Sequence, residues 1–476
     1  MYKRLLVTSA LLIASPAWAA SDDSSPPSTT TPGSATTTSA AAASSAAQAP
    51  AAGLTPEQQV QLLQEVQALR ERVQALEARS TQVQYTPEAP EHHKLLGDNN
   101  LELYGFVQLD AIQDFDRVNP DWAATLRPSR VPTTSGEFGS NGQTIFSVRQ
   151  SRLGAKSSGM ISGKPYEAKI EFDLYGTGDD AGQTTIRFRH VYASWGPILV
   201  GQTNSVFMDG DLFPNVIDYW GPTGMVFLRT PQIRFTFLDR NGWKAAVALE
   251  HATHDIDSGN LRLIDEELAS NIRSNEELPD LTAQVRYAGK WGHVQLSGIL
   301  RKVGYDTVDT PDNDPKGSQT GWGVNLGTSL NASLATFRLG AVYGRGIATY
   351  MNDGGMDLAP SISVVPGPGT ITLVPKAEAV KLLGITAYVD LQWSKQLSSA
   401  LGYSFTKVDN TNFQDPSAFH KGEYASGNLL WTPADRIMTG IELLWGRRTD
   451  NDGDKGTDLR LQTSFKFNFS SKDIWD

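Results

Sequence analysis

From Leu101 onward, apolar and polar residues alternate with a period of two. In the stretch 166–174 one face reads Tyr166, Ala168, Ile170, Phe172 and Leu174, and the other reads Glu167, Lys169, Glu171 and Asp173. Leu383, Ile385, Ala387, Val389, Leu391 and Trp393 oppose Thr386, Asp390 and Gln392 in the same way. So do Leu459, Leu461, Phe465, Phe467 and Phe469 against Arg460, Gln462, Ser464, Lys466 and Asn468. This period puts successive side chains on opposite faces of a strand. Each run is about ten residues long, the length of a tilted strand crossing hydrocarbon, whereas strands of soluble proteins are mostly about five or six. Roughly sixteen such runs follow one another between 101 and 469, an even count as single-chain bacterial barrels require. Even-numbered runs are followed by tight turns, as at Ser162-Gly163, Gly196-Pro197, Asn241-Gly242 and Thr432-Pro433. Most odd-numbered runs are followed by long polar loops, at 116–142, 205–230, 251–280 and 346–380. Short turns at one end and long loops at the other predict an outer-membrane barrel, with the turns periplasmic. No stretch after the first residues is apolar for long enough to cross as a helix. A membrane-spanning fold must therefore be a closed barrel, which satisfies every backbone group in lipid.

The pattern before residue 100 differs. Lys3 and Arg4, the apolar run Leu5 to Ile13 and the small-residue box Ala17-Trp18-Ala19 predict a secretory signal peptide over 1–19. Residues 20–53, mostly Ser, Thr, Ala and Pro, predict a disordered linker. Thr55-Pro56-Glu57 is a helix start, and Leu62, Val66, Leu69, Val73 and Leu76 recur at alternating spacings of four and three. Residues 54–84 thus read as a periplasmic coiled-coil segment whose purpose is association, because so short a helix is marginal alone. Val at the a positions and Leu at the d positions lean toward two strands rather than three, so the heptad by itself leaves dimer and trimer open. The fold class expected is an all-β transmembrane barrel of about sixteen antiparallel strands over 98–476, preceded by that short α-helical coiled-coil segment.

Composition narrows the function. The chain has 41 Lys+Arg against 52 Asp+Glu and no Cys. An acidic total lacks the basic footprint of a nucleic-acid binder. Without Cys there are no disulfides and no thiolate metal sites, and no metal or cofactor is expected. A hydrolase would need a nucleophile, a base and an orienting acid within reach of one another. The seven His are scattered, and His251 and His254 lie beside Asp255 and Asp257 with no Ser-based motif nearby. A non-enzymatic channel is the better reading.

A channel needs charges on its lumen face. By strand parity these are Arg152, Lys169, Arg187, Arg189, Arg234, Arg286, Arg301 and Arg338, with the acids Asp110, Glu171, Asp173 and Glu442. Arg149 and Arg152 have opposite parity, so one faces the lumen unless a bulge intervenes, and Arg152 is favoured because Leu153 then faces lipid. The 205–230 segment carries Asp209, Asp211, Asp218, Tyr219, Trp220 and Arg229. It is too aromatic for a freely solvated tip and is expected to fold inward as a constriction. The lumen arginines predict preference for small anions, and the three loop aspartates argue for a general or cation-preferring pore instead, with Ser21 to Gly53 and the helix adding a structural tether toward the cell wall.

Several strings resemble DcaP-like porins of Gram-negative bacteria. They are the coiled-coil segment, Leu103-Tyr104-Gly105-Phe106-Val107, Ser147-Val148-Arg149-Gln150-Ser151-Arg152-Leu153-Gly154, Val200-Gly201-Gln202-Thr203-Asn204-Ser205-Val206-Phe207 and Trp220-Gly221-Pro222-Thr223-Gly224. The resemblance covers about Leu54 to Phe469. It implies a homotrimer of sixteen-stranded barrels in the outer-membrane lipid, an N-terminal periplasmic coiled coil, and preference for small organic anions such as dicarboxylates. Such barrels commonly end on an aromatic residue; here Phe469 is followed by Ser470 to Asp476.

Overall fold

A computed structural model describes residues 99–368 and 370–472. The expected signal peptide, linker and coiled coil lie outside the described residues. The barrel strands are β1 (Asn100–Asp114), β2 (Gln143–Ser147, resuming as Arg152–Ile161), β3 (Lys164–Asp173), β4 (Arg187–Trp195), β5 (Ile198–Asn204), β6 (Arg229–Arg240), β7 (Trp243–Glu250) and β8 (Ile272–Asn275, resuming as Asp280–Gly289). They continue as β9 (Gly292–Thr307), β10 (Gly317–Ala332), β11 (Ala335–Arg345), β12 (Lys381–Gln392), β13 (Leu397–Asp409), β14 (Phe419–Ala434), β15 (Ile437–Asp450) and β16 (Lys455–Ser470). Each pairs antiparallel with the next, and β16 returns to β1 in the register Tyr104↔Ser470 to Asp114↔Arg460. The barrel is closed, sixteen-stranded and nearly devoid of helix, as the alternation predicts.

Large apolar side chains point outward, among them Leu103, Val107, Ile170, Val285, Leu300, Leu326 and Phe465. Trp195, Trp243, Trp291, Trp393 and Trp431 are exposed near the strand ends, where aromatic girdles sit. Not every aromatic residue near a strand end belongs to the girdle. Tyr104 and Tyr192 point inward to Glu171 and Glu167, and Tyr175 is buried.

Two departures from the sequence reading follow from loops that fill the lumen. First, Ile299, Val342, Leu382 and Val408 face inward although they are apolar. They pack with Phe207, Met208, Ile347 and Tyr350 from the 205–228 and 346–357 segments. A second apolar cluster joins Val118, Leu126 and Val131 of the first loop to Tyr388, Tyr424 and Leu444. Second, the 346–380 stretch is not a featureless loop. Its second half forms a hairpin, Leu358–Gly367 with Thr370–Ala379, a two-stranded sheet apart from the barrel that bridges to the loop after β7 at Ile256↔Leu358. Strand β2 is also interrupted between Ser147 and Arg152, which allows Arg152 to face inward while Arg149 reaches Thr184 in the next loop. A two-residue period cannot reveal such a break.

The asymmetry between the ends gives a topology test. An impermeant maleimide applied to intact cells is expected to label a cysteine at the exposed Asp265 in the loop after β7. It should not label one at Gly163, in the turn after β2. The reverse pattern would invert the assignment.

Candidate functional site

The loop 205–228 runs through the barrel. The Phe207 carbonyl accepts from Ser297 Oγ at 2.7 Å and Asn325 Nδ2 at 2.9 Å, on β9 and β10. Asp209 receives His293 Nε2 at 2.7 Å and Arg286 Nη1 at 3.3 Å. Arg286 also pairs with Asp211, and Arg338 donates to the Asp211 carbonyl while meeting Asp390 at 2.7 Å. The Asn215 amide then donates to Asp390, and those of Ile217 and Asp218 donate to Glu442 on β15. Asp218 is buried and accepts from the Leu126 amide and Tyr424 hydroxyl; burial pushes its carboxyl above the ordinary carboxylate range. Tyr219 closes the span by donating to Asp173 on β3 at 2.8 Å. The wall is cut to fit: a Cβ on Gly327 would lie 2.4 Å from an Asp209 oxygen, and one on Gly340 2.8 Å from Leu212. Inward glycines on β10 and β11 therefore make room for the Asp209 and Leu212 side chains of the loop.

The loop ends on a cationic wall, where the Tyr219 hydroxyl also accepts from Arg187 and Arg189. On β3 and β4, Arg187 meets Asp173 at 2.9 Å, and Arg189 meets Asp173 at 2.8 Å and Glu171 at 3.0 Å. Glu171 is shared further with Lys169 at 3.1 Å and Arg152 at 3.6 Å. Arg152 lies 5.1 Å from the centre of the Phe106 ring, and Lys466 of β16 lies 4.4 Å from the same centre. Among the described residues no carboxylate is within ion-pair distance of Lys466, Arg229 or Arg234. Arg234 donates to Gln232 and the Asn204 carbonyl, and Arg229 packs on Phe227 at 4.7 Å with its Nε unbonded. Four cations thus share Glu171 and Asp173, while Arg229, Arg234 and Lys466 reach neither; Glu167, on the same face of β3, pairs with Lys156 at 2.7 Å. Arg152, Lys169 and Arg187 keep 25, 21 and 19% of their side-chain surface exposed, so water and solute can reach them.

The other sequence-nominated arginines do different work. Arg286 and Arg338 fasten the loop. Arg301 has no exposed side-chain surface and is enclosed by Asp280, Asp357 and three further acceptors. It is an anchor that no passing solute touches. Parity placed these groups on the inner face but could not show which acids reach them, because Asp209, Asp211 and Asp357 come from loops. Lys466 is legible as a polar-face residue between Phe465 and Phe467, yet nothing along β16 shows that β1 brings Phe106 beside it, with Arg152 of β2 on the same ring. Asp209, Asp211 and His293 converge closely enough to suggest a metal site. The Arg286 guanidinium already pairs with both carboxylates, so the cluster reads as an ion-paired loop anchor.

The same barrel recurs in solved structures. The crystal structure of the outer membrane channel DcaP of Acinetobacter baumannii superposes with a TM-score of 0.63 at 22% identity, covering 79% of this chain and 98% of that one. The anion-selective porin from Comamonas acidovorans gives 0.49 at 12% identity, with 78% and 100% covered. The trimer form of OmpT of Vibrio cholerae gives 0.46 at 9%, with 78% and 99% covered. No curated relative matches the chain. The DcaP outer membrane protein family matches residues 35–344, more than half of the sequence. With the closed barrel, the girdles and the lumen-spanning loop, that match places the chain in the DcaP outer membrane protein family, as a porin-like channel of the outer membrane rather than an enzyme.

Proposed function

We propose that the channel passes small organic anions by passive diffusion, with dicarboxylates as the favoured class. The observation that carries this reading is the cationic wall: Arg152, Lys169, Arg187, Arg189, Arg229, Arg234 and Lys466 outnumber Glu167, Glu171 and Asp173 there, and the constriction loop ends on it at Tyr219. Guanidinium groups stay charged across physiological pH and hold carboxylates through two parallel hydrogen bonds. Cations at several heights on one wall suit a solute with two separated negative groups. Partial neutralisation by Glu171 and Asp173 keeps the site shallow, as flux requires. The competing reading, a general or cation-preferring pore, rests on Asp211, whose side chain is 62% exposed. We also infer that the chain works as a homotrimer, with Leu62, Val66, Leu69, Val73 and Leu76 holding copies together in the periplasm.

Reversal potentials across a salt gradient test the selectivity. Anion selectivity is expected in the wild type, with a clear fall on Arg229→Gln and Lys466→Gln. Neither change strands a buried carboxylate, so folding is expected to survive. Cation selectivity in the wild type would end the proposal.

A further inference from the structure

Strands β11, β13 and β15 end alike on the outside of the barrel. Tyr343-Gly344-Arg345, Phe405-Thr406-Lys407 and Trp445-Gly446-Arg447 each put an aromatic residue and then a cation on the outward face. Each cation stands ten residues past the first residue of its strand, which is Ala335, Leu397 or Ile437. That distance is roughly 33 Å along a strand and roughly 25 Å along the membrane normal. Below the cations, Phe337, Leu339, Leu401, Ile441 and Leu443 are exposed as lipid-facing residues are. An apolar band about 25 Å tall therefore ends near Arg345, Lys407 and Arg447, on the side of the long loops.

The strands between them add positive charge. Lys381 of β12 lies directly opposite Arg345 in register, and Lys421 of β14 lies directly opposite Lys407. Like charges opposed in this way destabilise a sheet, so a counter-charge is wanted on the membrane side. The acids of this face do not supply enough. Asp409 meets Lys381 at 3.5 Å. Glu423 meets Lys421 at 3.0 Å and accepts from Arg447 Nε at 2.6 Å. Arg345 and Lys407 are exposed, and among the described residues no carboxylate is within ion-pair distance of either. Elsewhere at this end the outward residues include Phe115, Phe146, Ile186 and Leu281, and Lys302 is paired with Glu277.

A cation one step beyond an aromatic row sits at headgroup level, its stem on apolar surface and its charge outward. Lys421 Nζ lies 5.2 Å from the centre of the Phe405 ring, and the Arg447 guanidinium lies 5.2 Å from that of Trp445. Both heads are thus held in this row. Anionic headgroups are drawn to such clusters, and guanidinium groups grip phosphate through paired hydrogen bonds. Beside Lys381 a polar recess of about 360 Å³ opens between the hairpin after β11 and the ends of β12 and β13. Ser361, Glu378, Asp409, Asn410 and Thr411 line it. Its two acids would repel a phosphate, whereas its hydroxyl, amide and carboxylate groups suit the hydroxyls of a sugar.

We propose that the outer face of β11 to β15 binds the phosphorylated headgroup of a saccharolipid in the outer leaflet. Arg345 and Lys407 take its phosphates, and the recess beside Lys381 takes its sugar hydroxyls. The site faces away from the lumen and is independent of what the channel passes. A free phosphate ion is the rival source of the same charge.

Binding of fluorescently labelled lipopolysaccharide to the full-length protein in detergent is read by anisotropy. Unlabelled lipopolysaccharide, its dephosphorylated form and inorganic phosphate serve as competitors. Saturable binding is expected, weakened roughly tenfold or more in the double variant Arg345→Gln, Lys407→Gln. Neither substitution strands a carboxylate, and a heat-modifiable gel shift verifies the folded barrel. The charge-keeping double variant Arg345→Lys, Lys407→Arg is expected to bind as the wild type does. So is Lys164→Gln, which removes a cation beside Trp195 at the turn end. Equal affinity in the double glutamine variant, or equal competition by the dephosphorylated lipid, overturns the phosphate site. A loss in Lys164→Gln as large as in the double variant overturns it too, as unspecific charge attraction. Full displacement by inorganic phosphate overturns the lipid as occupant.

Discussion

Replacing Arg301 by methionine is expected to destabilise the barrel by about 3–5 kcal/mol, the cost of stranding buried partner charges. The guanidinium binds Asp280 through Nε at 3.2 Å and Asp357 through Nη1 at 3.4 Å. It also donates to the Gly346 carbonyl at 3.1 Å, Thr349 Oγ1 at 3.0 Å and the Thr253 carbonyl at 2.5 Å. One side chain therefore ties β9 to β8 and to the loops after β7 and β11. Asp280 and Asp357 have no exposed side-chain surface, so methionine would leave two carboxylates that water cannot reach. Tyr350, which donates to Asp280 at 2.9 Å, would remain as partial compensation. Urea unfolding read by gel mobility should show a clear drop in midpoint. The triple variant Arg301→Met, Asp280→Asn, Asp357→Asn should recover most of it, because the penalty comes from the orphaned charges rather than from the arginine itself. A single variant as stable as the wild type would mean that the network contributes nothing.

Asp209→Ala is expected to release the constriction loop and raise single-channel conductance, with added current noise. Asp209 has no exposed side-chain surface. It holds Arg286 and His293 and caps the turn that follows by accepting from the Asp211 amide at 3.3 Å. Its loss leaves a guanidinium without its buried partner at the point where the loop meets β8 and β9. A penalty of about 3 kcal/mol is more than a hundredfold in the population of the docked loop. The backbone clasps at Phe207 and Glu442 survive, so the middle of the loop should move while its ends hold. Conductance and noise equal to the wild type would show that the loop is held without this anchor. Because the barrel ladder is untouched, the urea midpoint should shift less than for Arg301→Met. The two variants thus separate a group that supports the wall from one that supports the constriction.

Arg301 and Arg286 are alike along the chain: each is an arginine on the polar face of an alternating strand. Parity assigns both to the lumen, and both face it. Their fates differ because a loop aspartate from far along the chain covers one completely and the other only in part. Loop paths carry no period, so no spacing in the sequence foretells which charges they bury. Tyr104 and Trp195 make the same point for aromatic residues: both sit near strand ends, but one hydrogen-bonds Glu171 in the lumen and the other faces the membrane edge.

What the sequence determined by itself is the barrel. Ten-residue alternation, even strand count and the contrast between short turns and long loops follow from local chemistry, since hydrocarbon on the outside demands apolar side chains at every second position. The inward turn of the 205–228 loop was legible for a related reason, as its aromatic residues had to be covered by something. Tertiary structure alone decided the rest. Ring closure of β16 on β1 set Lys466 beside Arg152. Loops filling the lumen put Val342 and Leu382 on a face that parity reserves for polar groups. Each depends on contacts between residues distant in sequence, and a local pattern fixes which face a side chain takes but not what it meets there.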